Sequence, residues 1–184
     1  QFSAVALFIL AEEGKISLDD PVSKYFPEFK ADFFNRITLA NLISHTSGLP
    51  DSRPRTDAQW EKYRAVHPSV FDNVKDYKLY CEEEESLRYL QTVYSLAFEP
   101  GTAYEYQNHT FQLIYYIVEK VTGEHFDDWM HANIFVPAGM TRTVYFEPDR
   151  QIANMAHGYS RNEEGKWAED DYGETNFFGT KADG

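Results

Sequence analysis

The chain has 184 residues, of which 42% are hydrophobic and 16% are aromatic, so it has enough apolar material for one folded domain and is not typical of a disordered protein. Seventeen Lys and Arg against thirty Asp and Glu give a net charge of −13. This charge repels phosphate backbones and anionic lipid headgroups, so nucleic acid is not an expected partner. The single cysteine, Cys81, excludes an internal disulfide framework.

The apolar stretches are interrupted within a few residues by Glu, Lys or Gln, whereas a transmembrane helix needs about 20 apolar residues in a row. No membrane span is predicted. The sequence contains no internal repeat, low-complexity tract or Pro/Ser linker. It is therefore assigned to one domain over residues 1–184. Apolar residues recur at helical spacing from Phe2 onwards, so we expect this domain to open inside a helix and to be truncated.

Two helices are predicted near the start of the chain. The first runs to about Glu13 and ends at Gly14, because glycine enters the left-handed region without a Cβ penalty. The second is predicted to have Asp20 as its N-cap and Pro21 as its first residue, since the missing proline N–H would be unpaired there anyway. This short helix is expected to extend through Tyr25.

Thr38 is predicted to cap another brief helix, which bears Leu39, Leu42 and Ile43 and ends in the run of turn formers at residues 45–50. Residues 51–85 combine charge and aromatics with little periodicity and are interpreted as helical pieces and loops. The four glutamates at residues 82–85 suit the start of a helix, whose apolar positions continue as far as Ala97.

The dipeptide Pro100-Gly101 breaks the chain, and a loop over residues 104–108 leads into the next helix. Gly123 is expected to close this helix. One face of the helix is predicted to be apolar, lined by Phe111, Ile114, Tyr115, Val118 and Val121. A further helix is predicted over residues 126–134. Short strands are predicted at residues 144–146 and 155–159, with a hairpin turn at 162–165 and a loop from 173 to 184.

Six segments, in order, resemble recurring motifs of the serine β-lactamase, penicillin-binding-protein and esterase superfamily, particularly its class C-like branch. Residues 1–5 resemble the continuation of the nucleophile helix, and residues 12–22 contain Gly-Lys-Ile-Ser-Leu-Asp-Asp-Pro-Val. Residues 42–49 read Leu-Ile-Ser-His-Thr-Ser-Gly-Leu. Residues 100–108 hold Pro-Gly-Thr followed by Tyr-Gln-Asn, with Gln107 in place of the usual Ser. Residues 135–143 and 156–159 resemble the Pro-Leu-Gly-Met and Ala-x-Gly-Tyr elements, with Ala138 for Leu.

The resemblance implies an α+β fold of the serine β-lactamase/transpeptidase type, with a helical subdomain and an antiparallel sheet. The present chain would contribute mainly helices and a few short strands. It also implies catalysis through an acyl-serine intermediate formed on a Ser-x-x-Lys motif. None of the serines in the chain has Lys three residues on, so the nucleophile and lysine are expected upstream of Gln1. The family's Lys-Thr-Gly or His-x-Gly element is expected well after Gly184.

Tyr106 and Asn108 are the candidate catalytic residues by this resemblance: the tyrosine moves protons and the asparagine hydrogen-bonds lysine and substrate. A phenol, with a reference pKa of about 10, serves near neutrality only when an ammonium is held beside it. The structural alternative is that Tyr106 is an aromatic anchor and Asn108 a helix N-cap. Spacing alone favours this alternative, and the surrounding motifs favour catalysis.

The other histidines give weaker signals. His45 lies two residues from Ser47 in a turn, and the family uses that loop mainly as architecture. His125 and His131 are six residues apart on a predicted helix and so lie on different faces, which does not favour a metal site. His109 and Tyr104 flank the candidate site and are interpreted as a first-turn surface residue and a packing residue. No metal or cofactor is predicted.

Two functions are compatible with these observations. The first is a serine hydrolase acting on a β-lactam, a D-amino-acid peptide or a small ester, with the isolated chain inactive for lack of a nucleophile. The second is a non-catalytic module that keeps the fold and binds a cell-wall peptide or a protein partner. The expected partner of the hydrolase is a small-molecule or peptide substrate, and the oligomeric state stays open. The family suggests a periplasmic or extracellular location.

Overall fold

The computed structural model describes residues 1–50, 58, 61, 87, 90–145, 153–154 and 158–169. They belong to two compact units, one containing the described residues of Gln1–Arg53 and Cys81–Val144, the other those of Pro54–Tyr80 and Tyr145–Phe178. Most of the predicted elements at 51–85 and the loop at 173–184 lie outside the described residues. The single-domain assignment of residues 1–184 stays a prediction.

Helix α1 spans Phe2–Glu12 and buries Leu7 and Leu10. Its end confirms the role predicted for Gly14, which has φ +71°. The Lys15 N–H donates to the Leu10 carbonyl at 2.9 Å and the Gly14 N–H to the carbonyl of Ala11 at 3.0 Å. These two bonds form a Schellman motif and satisfy carbonyl groups that the helix end leaves unpaired.

Helix α2, Val22–Tyr25, exists as predicted but starts differently. Pro21 is the N-cap in an extended conformation (ψ 148°), so the prediction of Asp20 as N-cap and Pro21 as first helical residue was wrong. The physical reason is a long-range pairing: Pro21 forms an isolated antiparallel bridge with Thr38, and the Val22 N–H donates to the carbonyl of Ile37 at 2.8 Å. That pairing holds Pro21 extended.

Helix α3, Leu39–Ile43, follows a 3₁₀ turn at Asp32–Asn35, and its predicted cap is confirmed. The Asn41 N–H donates to Oγ1 of Thr38 at 3.2 Å, and the Thr38 N–H donates to Oδ1 of Asn41 at 3.0 Å. The two residues therefore form a reciprocal capping box, which satisfies donors at both ends of the first turn. Leu39 and Leu42 are buried.

Position 87 and residues 90–92 are helical, but the helix ends at Thr92, so the predicted continuation to Ala97 was wrong. The Ala97 N–H donates instead to the carbonyl of Gly48 at 2.8 Å, which ties this part of the chain to the loop after α3. Leu90 and Val93 are buried, and Tyr94 is exposed.

Helix α4 spans Asn108–Thr122 and ends at Gly123 in the left-handed conformation, as predicted. Its buried face is rotated from the predicted stripe. Ile114 and Val118 are fully buried, but Phe111, Tyr115 and Val121 are only partly buried. The pattern missed four further positions of α4 that are at most 1% exposed, namely Thr110, Gln112, Leu113 and Ile117. Contact with both α1 and α3 explains this wide apolar face.

Helix α5, Phe126–Met130, continues into a π-helical turn at His131–Phe135, which together confirm the predicted helix at 126–134. Near α2, a cluster of aromatic rings fills the core, with Phe26 stacked on Phe29 at 5.0 Å and Phe29 against Phe34 at 4.7 Å. Lys120 of α4 crosses this cluster, its Nζ lying 4.2 Å from the centroid of Phe26. It donates to the carbonyl of Tyr25 at 2.7 Å, which links the last turn of α4 to α2.

In the second unit, strands β1 (Tyr159–Arg161) and β2 (Trp167–Glu169) pair antiparallel. The predicted turn at 162–165 joins them, with Gly165 at φ +73°. β2 was not predicted. The strand at 144–146 was wrong where it is described, because positions 144 and 145 are not in a strand; β-forming residues make a strand only beside a partner. Most of the strand predicted at 155–159 lies outside the described residues.

The observed elements agree with the predicted α+β class, mainly helical with short antiparallel strands. Across the described ranges, no helix combines the length and apolarity that crossing a membrane requires.

Candidate active site

Two loops of the first unit lie side by side at the start of α4. The loop over residues 45–50 follows α3, and the loop over residues 97–107 leads into α4. Three backbone hydrogen bonds join them, from Ala97 N–H to the Gly48 carbonyl (2.8 Å), from Gly101 N–H to the Thr46 carbonyl (2.8 Å) and from Glu105 N–H to the His45 carbonyl (3.0 Å). The 45–50 loop therefore holds the 97–107 loop in place through backbone hydrogen bonds.

Gly48 allows the closest approach of these two loops. Its φ is +73°, and a Cβ added to it would lie 2.0 Å from the carbonyl oxygen of Phe98. Any other residue would meet both a conformational penalty and a backbone clash at this position. The glycine of the His-Thr-Ser-Gly-Leu segment is thus explained by a contact with a residue fifty positions further along the chain.

His45 also occupies the left-handed region, with φ +55°, a conformation for which Asn, Asp and His are enriched among non-glycine residues. Its ring nitrogen Nδ1 accepts the backbone N–H of Gln107 at 3.2 Å. Together with the bond from the Glu105 N–H to the His45 carbonyl, this places hydrogen bonds to one histidine on both sides of Tyr106.

The imidazole of His45 is packed among aromatic rings. It stacks on Phe111 with centroids 4.9 Å apart and 27° between planes, and it lies 4.5 Å from the ring of Tyr106. The ring of Tyr104 meets its edge at 5.9 Å. Phe111 belongs to α4, so the histidine joins the 45–50 loop, the 97–107 loop and the helix.

Burial lowers the pKa of His45 from its usual range. The hydrogen bond with Gln107 is compatible only with a neutral Nδ1, because a protonated Nδ1 would present its own N–H to a backbone N–H. The hydrogen bond thus assigns the ring proton of His45 to Nε2 in this structure.

Tyr106 is held by these contacts and nevertheless remains open to solvent, with 59% of its surface exposed. Tyr106 is thus both anchored by a ring contact and exposed, so its catalytic role stays a prediction beside the alternative of an aromatic anchor. Asn108 is the first residue of α4, and the N-cap position belongs to Gln107, so the alternative interpretation of Asn108 as an N-cap was wrong. The side chains of Asn108 and His109 lie outside the described part.

Gln107 separates the two candidate residues and points the other way. Its side chain is only 2% exposed, and within the described residues neither Nε2 nor Oε1 has a hydrogen-bond partner. The α4 N-terminus has no side-chain cap bond. At the start of α4, the backbone N–H of Gln107 donates to His45, its carbonyl accepts the Thr110 hydroxyl at 2.9 Å, and its side chain is buried.

The remaining histidines predicted as weak candidates do not assemble into a site. The His125 side chain is 87% exposed and lies 3.6 Å from Glu119, while His131 meets the ring edge of Phe135 at 6.5 Å. Over the described ranges, no three His, Cys, Asp or Glu residues converge in a way that could hold a metal ion. Near His45, the Ser47 hydroxyl is buried and accepts the Leu49 N–H at 3.3 Å.

Sequence reasoning treated His45 as architecture and did not connect it with Tyr106. The two residues are sixty-one positions apart, and no local pattern indicates that their loops pair. The run of turn formers at residues 45–50 did give one indication. A histidine and a glycine in such a run are typical of left-handed backbone, and a glycine allows another backbone to approach closely.

Comparison with known proteins identifies the family to which the chain belongs. The Beta-lactamase family profile matches residues 1–183. Penicillin-binding protein 4* of Bacillus subtilis is 31% identical over 163 residues, which are 86% of this chain and 32% of that protein. The chain therefore spans about a third of the length of this curated relative.

Solved structures show the same fold. An octameric penicillin-binding protein homologue from Pyrococcus abyssi superposes with a TM-score of 0.71 at 26% identity, covering 99% of this chain and 38% of that one. A D-alanine carboxypeptidase from Burkholderia cenocepacia superposes with a TM-score of 0.62 at 26% identity, covering 94% of this chain and 40% of that one. With a family profile that matches nearly every residue, the chain belongs to the beta-lactamase family.

Proposed function

We propose that this chain is the part of a serine hydrolase that carries the catalytic tyrosine and asparagine, Tyr106 and Asn108. The intact enzyme would form an acyl-serine intermediate with a β-lactam, a D-amino-acid peptide or a small ester. The observation that carries the proposal is an exposed phenol held from both sides at the start of α4, in a chain of the beta-lactamase family.

Acyl transfer to serine requires a proton to leave the hydroxyl as the carbonyl is attacked and to reach the leaving group as the intermediate collapses. Tyr106 would move this proton, because its hydroxyl can both donate and accept. The aromatic packing and the two backbone hydrogen bonds around it support this role, since a proton carrier must be held in reach of the reacting atoms. Asn108 would hydrogen-bond the lysine and the substrate.

The nucleophile is proposed to lie outside this sequence, because no serine in the chain has Lys three residues on. The isolated chain is therefore expected to be inactive. Removal of the serine nucleophile has cost about 10⁶ in rate in a well-studied hydrolase. Experiments on function thus need the full-length protein.

The first prediction concerns Tyr106→Phe in the full-length protein. Loss of the hydroxyl should reduce kcat for nitrocefin or a p-nitrophenyl ester by about 10²- to 10⁴-fold, the usual contribution of general acid–base catalysis. The ring and its contact with His45 remain, so the melting temperature should change little. Steady-state kinetics and labelling with a fluorescent penicillin or a fluorophosphonate measure the effect.

Tyr94→Phe is the matched control, because Tyr94 precedes the same loop, is 92% exposed and makes no described ring contact with His45. It should behave as the wild type. Equal turnover by the two variants would remove Tyr106 from the mechanism. Saturable binding of a cell-wall peptide by a wild type that neither turns over substrate nor becomes acylated would instead establish the non-catalytic module.

A further inference from the structure

One residue outside the proposed catalytic pair makes contact with the chain on both sides of Tyr106. The backbone carbonyl of His45 accepts the N–H of Glu105 at 3.0 Å, and its Nδ1 accepts the N–H of Gln107 at 3.2 Å. In an extended segment, alternate N–H groups point to the same side. Both peptides that flank Tyr106 are thus fixed against a single residue.

The side chain of Tyr106 is held by the same histidine. The two rings are 4.5 Å apart with 36° between their planes, which limits the directions that the exposed phenol can take. Within the described part of the chain, His45 is the ring in contact with Tyr106, which is more than half exposed. The position of the phenol therefore depends on where the imidazole lies.

His45 is itself firmly placed. Its ring is stacked on Phe111 in the first turns of α4 at 4.9 Å, and its neighbour Thr46 accepts both the Gly101 N–H at 2.8 Å and the side-chain Nδ2 of Asn41 at 3.1 Å. Asn41 belongs to the capping box of α3. His45 and its neighbour Thr46 therefore connect the end of α3 with the first turns of α4.

We propose that His45 is a positioning residue for catalysis, which orients the Tyr106 phenol through the hydrogen bond from Gln107 and the ring contact. It does not touch the substrate and exchanges no proton with it. This inference rests on the proposed function. The inference goes beyond that function because it gives the 45–50 loop, which the sequence predicts to be architectural, a role in orienting the Tyr106 phenol.

The test distinguishes the contribution of the Nδ1 acceptor from that of the aromatic ring of His45, in the full-length protein. His45→Phe keeps an aromatic ring but removes Nδ1, whereas His45→Asn offers Oδ1 as an acceptor at the same position along the side chain and tolerates positive φ. We expect His45→Phe to lower kcat on the order of 10²-fold with little change in KM, the effect of a small misplacement of a reacting group. His45→Asn should recover most of this loss.

Amide hydrogen exchange gives a second readout that needs no turnover. The Gln107 amide should lose protection in His45→Phe and keep it in His45→Asn, because only the second variant retains an acceptor. Ile117→Ala, a buried change further along α4, is the control for general destabilisation. It should lower the melting temperature while leaving kcat and the exchange of Gln107 unchanged.

Wild-type turnover by His45→Phe would overturn the inference, as would an Asn variant no better than the Phe variant or unaltered exchange at Gln107. Tyr106→Phe distinguishes this failure from that of the proposed function. If Tyr106→Phe is slow and His45→Phe is not, only the positioning role is lost. If Tyr106→Phe turns over normally, the proposed function itself fails.

Discussion

The helices α3 and α4 both begin beside the candidate site, but their first turns are stabilised in different ways. At α3, Thr38 and Asn41 exchange two hydrogen bonds three residues apart. At α4, Gln107 occupies the N-cap position without a side-chain cap bond, and its backbone N–H donates to His45, sixty-two positions earlier in the chain. The α3 start is capped by its own sequence, whereas the N–H of the α4 N-cap residue is paired with a distant loop.

This difference has a consequence for function. The cap bonds between Thr38 and Asn41 fix where α3 begins, whereas the long-range contact also fixes α4 relative to another element. The exposed phenol of Tyr106 precedes the helix that has the long-range contact. The proposed catalytic tyrosine thus lies where the two loops contact each other, and the 45–50 loop directly follows α3.

The largest effect is expected from Gly48→Ala, which breaks the long-range side of this comparison. Gly48 combines φ +73° with the close carbonyl of Phe98, so the loops must separate to admit a methyl group. We expect a loss of stability on the order of 3 kcal/mol, together with a large loss of activity. Urea unfolding and steady-state kinetics of the full-length protein measure the two effects.

Gly123→Ala is the matched control. Gly123 has almost the same φ, +75°, but a Cβ there would have no neighbour within 4 Å. This variant meets only the conformational penalty, about 1–2 kcal/mol, and should retain wild-type kcat. If both variants lose equal stability, the close contact between Gly48 and Phe98 does not contribute to the free energy of unfolding. The 45–50 loop would then not be what holds the 97–107 loop in place.

Thr38→Ala breaks the local side, with a smaller effect. Loss of the side-chain acceptor for the Asn41 N–H should cost about 1 kcal/mol in the free energy of unfolding. Thr38→Ser keeps the hydroxyl and should retain most of the stability. We expect kcat to fall less in either variant than in Gly48→Ala, because Thr38 reaches the 45–50 loop only through Asn41, which donates to Thr46, and the His45 bonds to Glu105 and Gln107 remain. A kcat loss in Thr38→Ala as large as that in Gly48→Ala would contradict the distinction between the two helix starts.

The same distinction explains which structural features could be predicted from the sequence. The ends of α1 and α4 at Gly14 and Gly123, the cap at Thr38 and the hairpin turn at 162–165 were predicted correctly because each is decided within about five residues. The predicted role of Asp20 failed because a bridge between Pro21 and Thr38 decides that helix start. Ala97 was misassigned for a similar reason, a hydrogen bond to a distant loop.

The candidate site was only partly accessible to sequence reasoning. Tyr106 and Asn108 were assigned by resemblance to a family, and their catalytic roles remain predictions. The contact of His45 with Gln107 and Tyr106 could not be inferred from spacing, because it arises from the pairing of two loops that no local pattern encodes. The face of α4 was misjudged for a related reason: packing against both α1 and α3 widens it beyond a single stripe.

The smallest effect is expected at Asp20, where a carboxylate joins a local network. Oδ2 accepts the Ser17 N–H at 2.8 Å, the Lys24 ammonium at 2.7 Å and the Tyr25 hydroxyl at 2.6 Å. Burial tends to raise the pKa of Asp20, but the hydrogen bonds from Lys24, Tyr25 and Ser17 outweigh it, so the pKa lies below its ordinary value. Burial and the Asp20 carboxylate together raise the pKa of Tyr25.

The sign of the pH dependence follows from this direction. A carboxylate with a depressed folded pKa adds stability that is complete above its unfolded pKa of about 3.9 and is lost as the pH falls through the folded value. Urea unfolding should therefore show the wild type losing more stability between pH 5 and pH 3 than Asp20→Asn. Because the network is local, kcat of Asp20→Asn at neutral pH should equal that of the wild type. If the two proteins lose stability equally on acidification, these bonds do not hold Asp20 in its charged form. If kcat falls in Asp20→Asn, the contacts at α2 influence the candidate site.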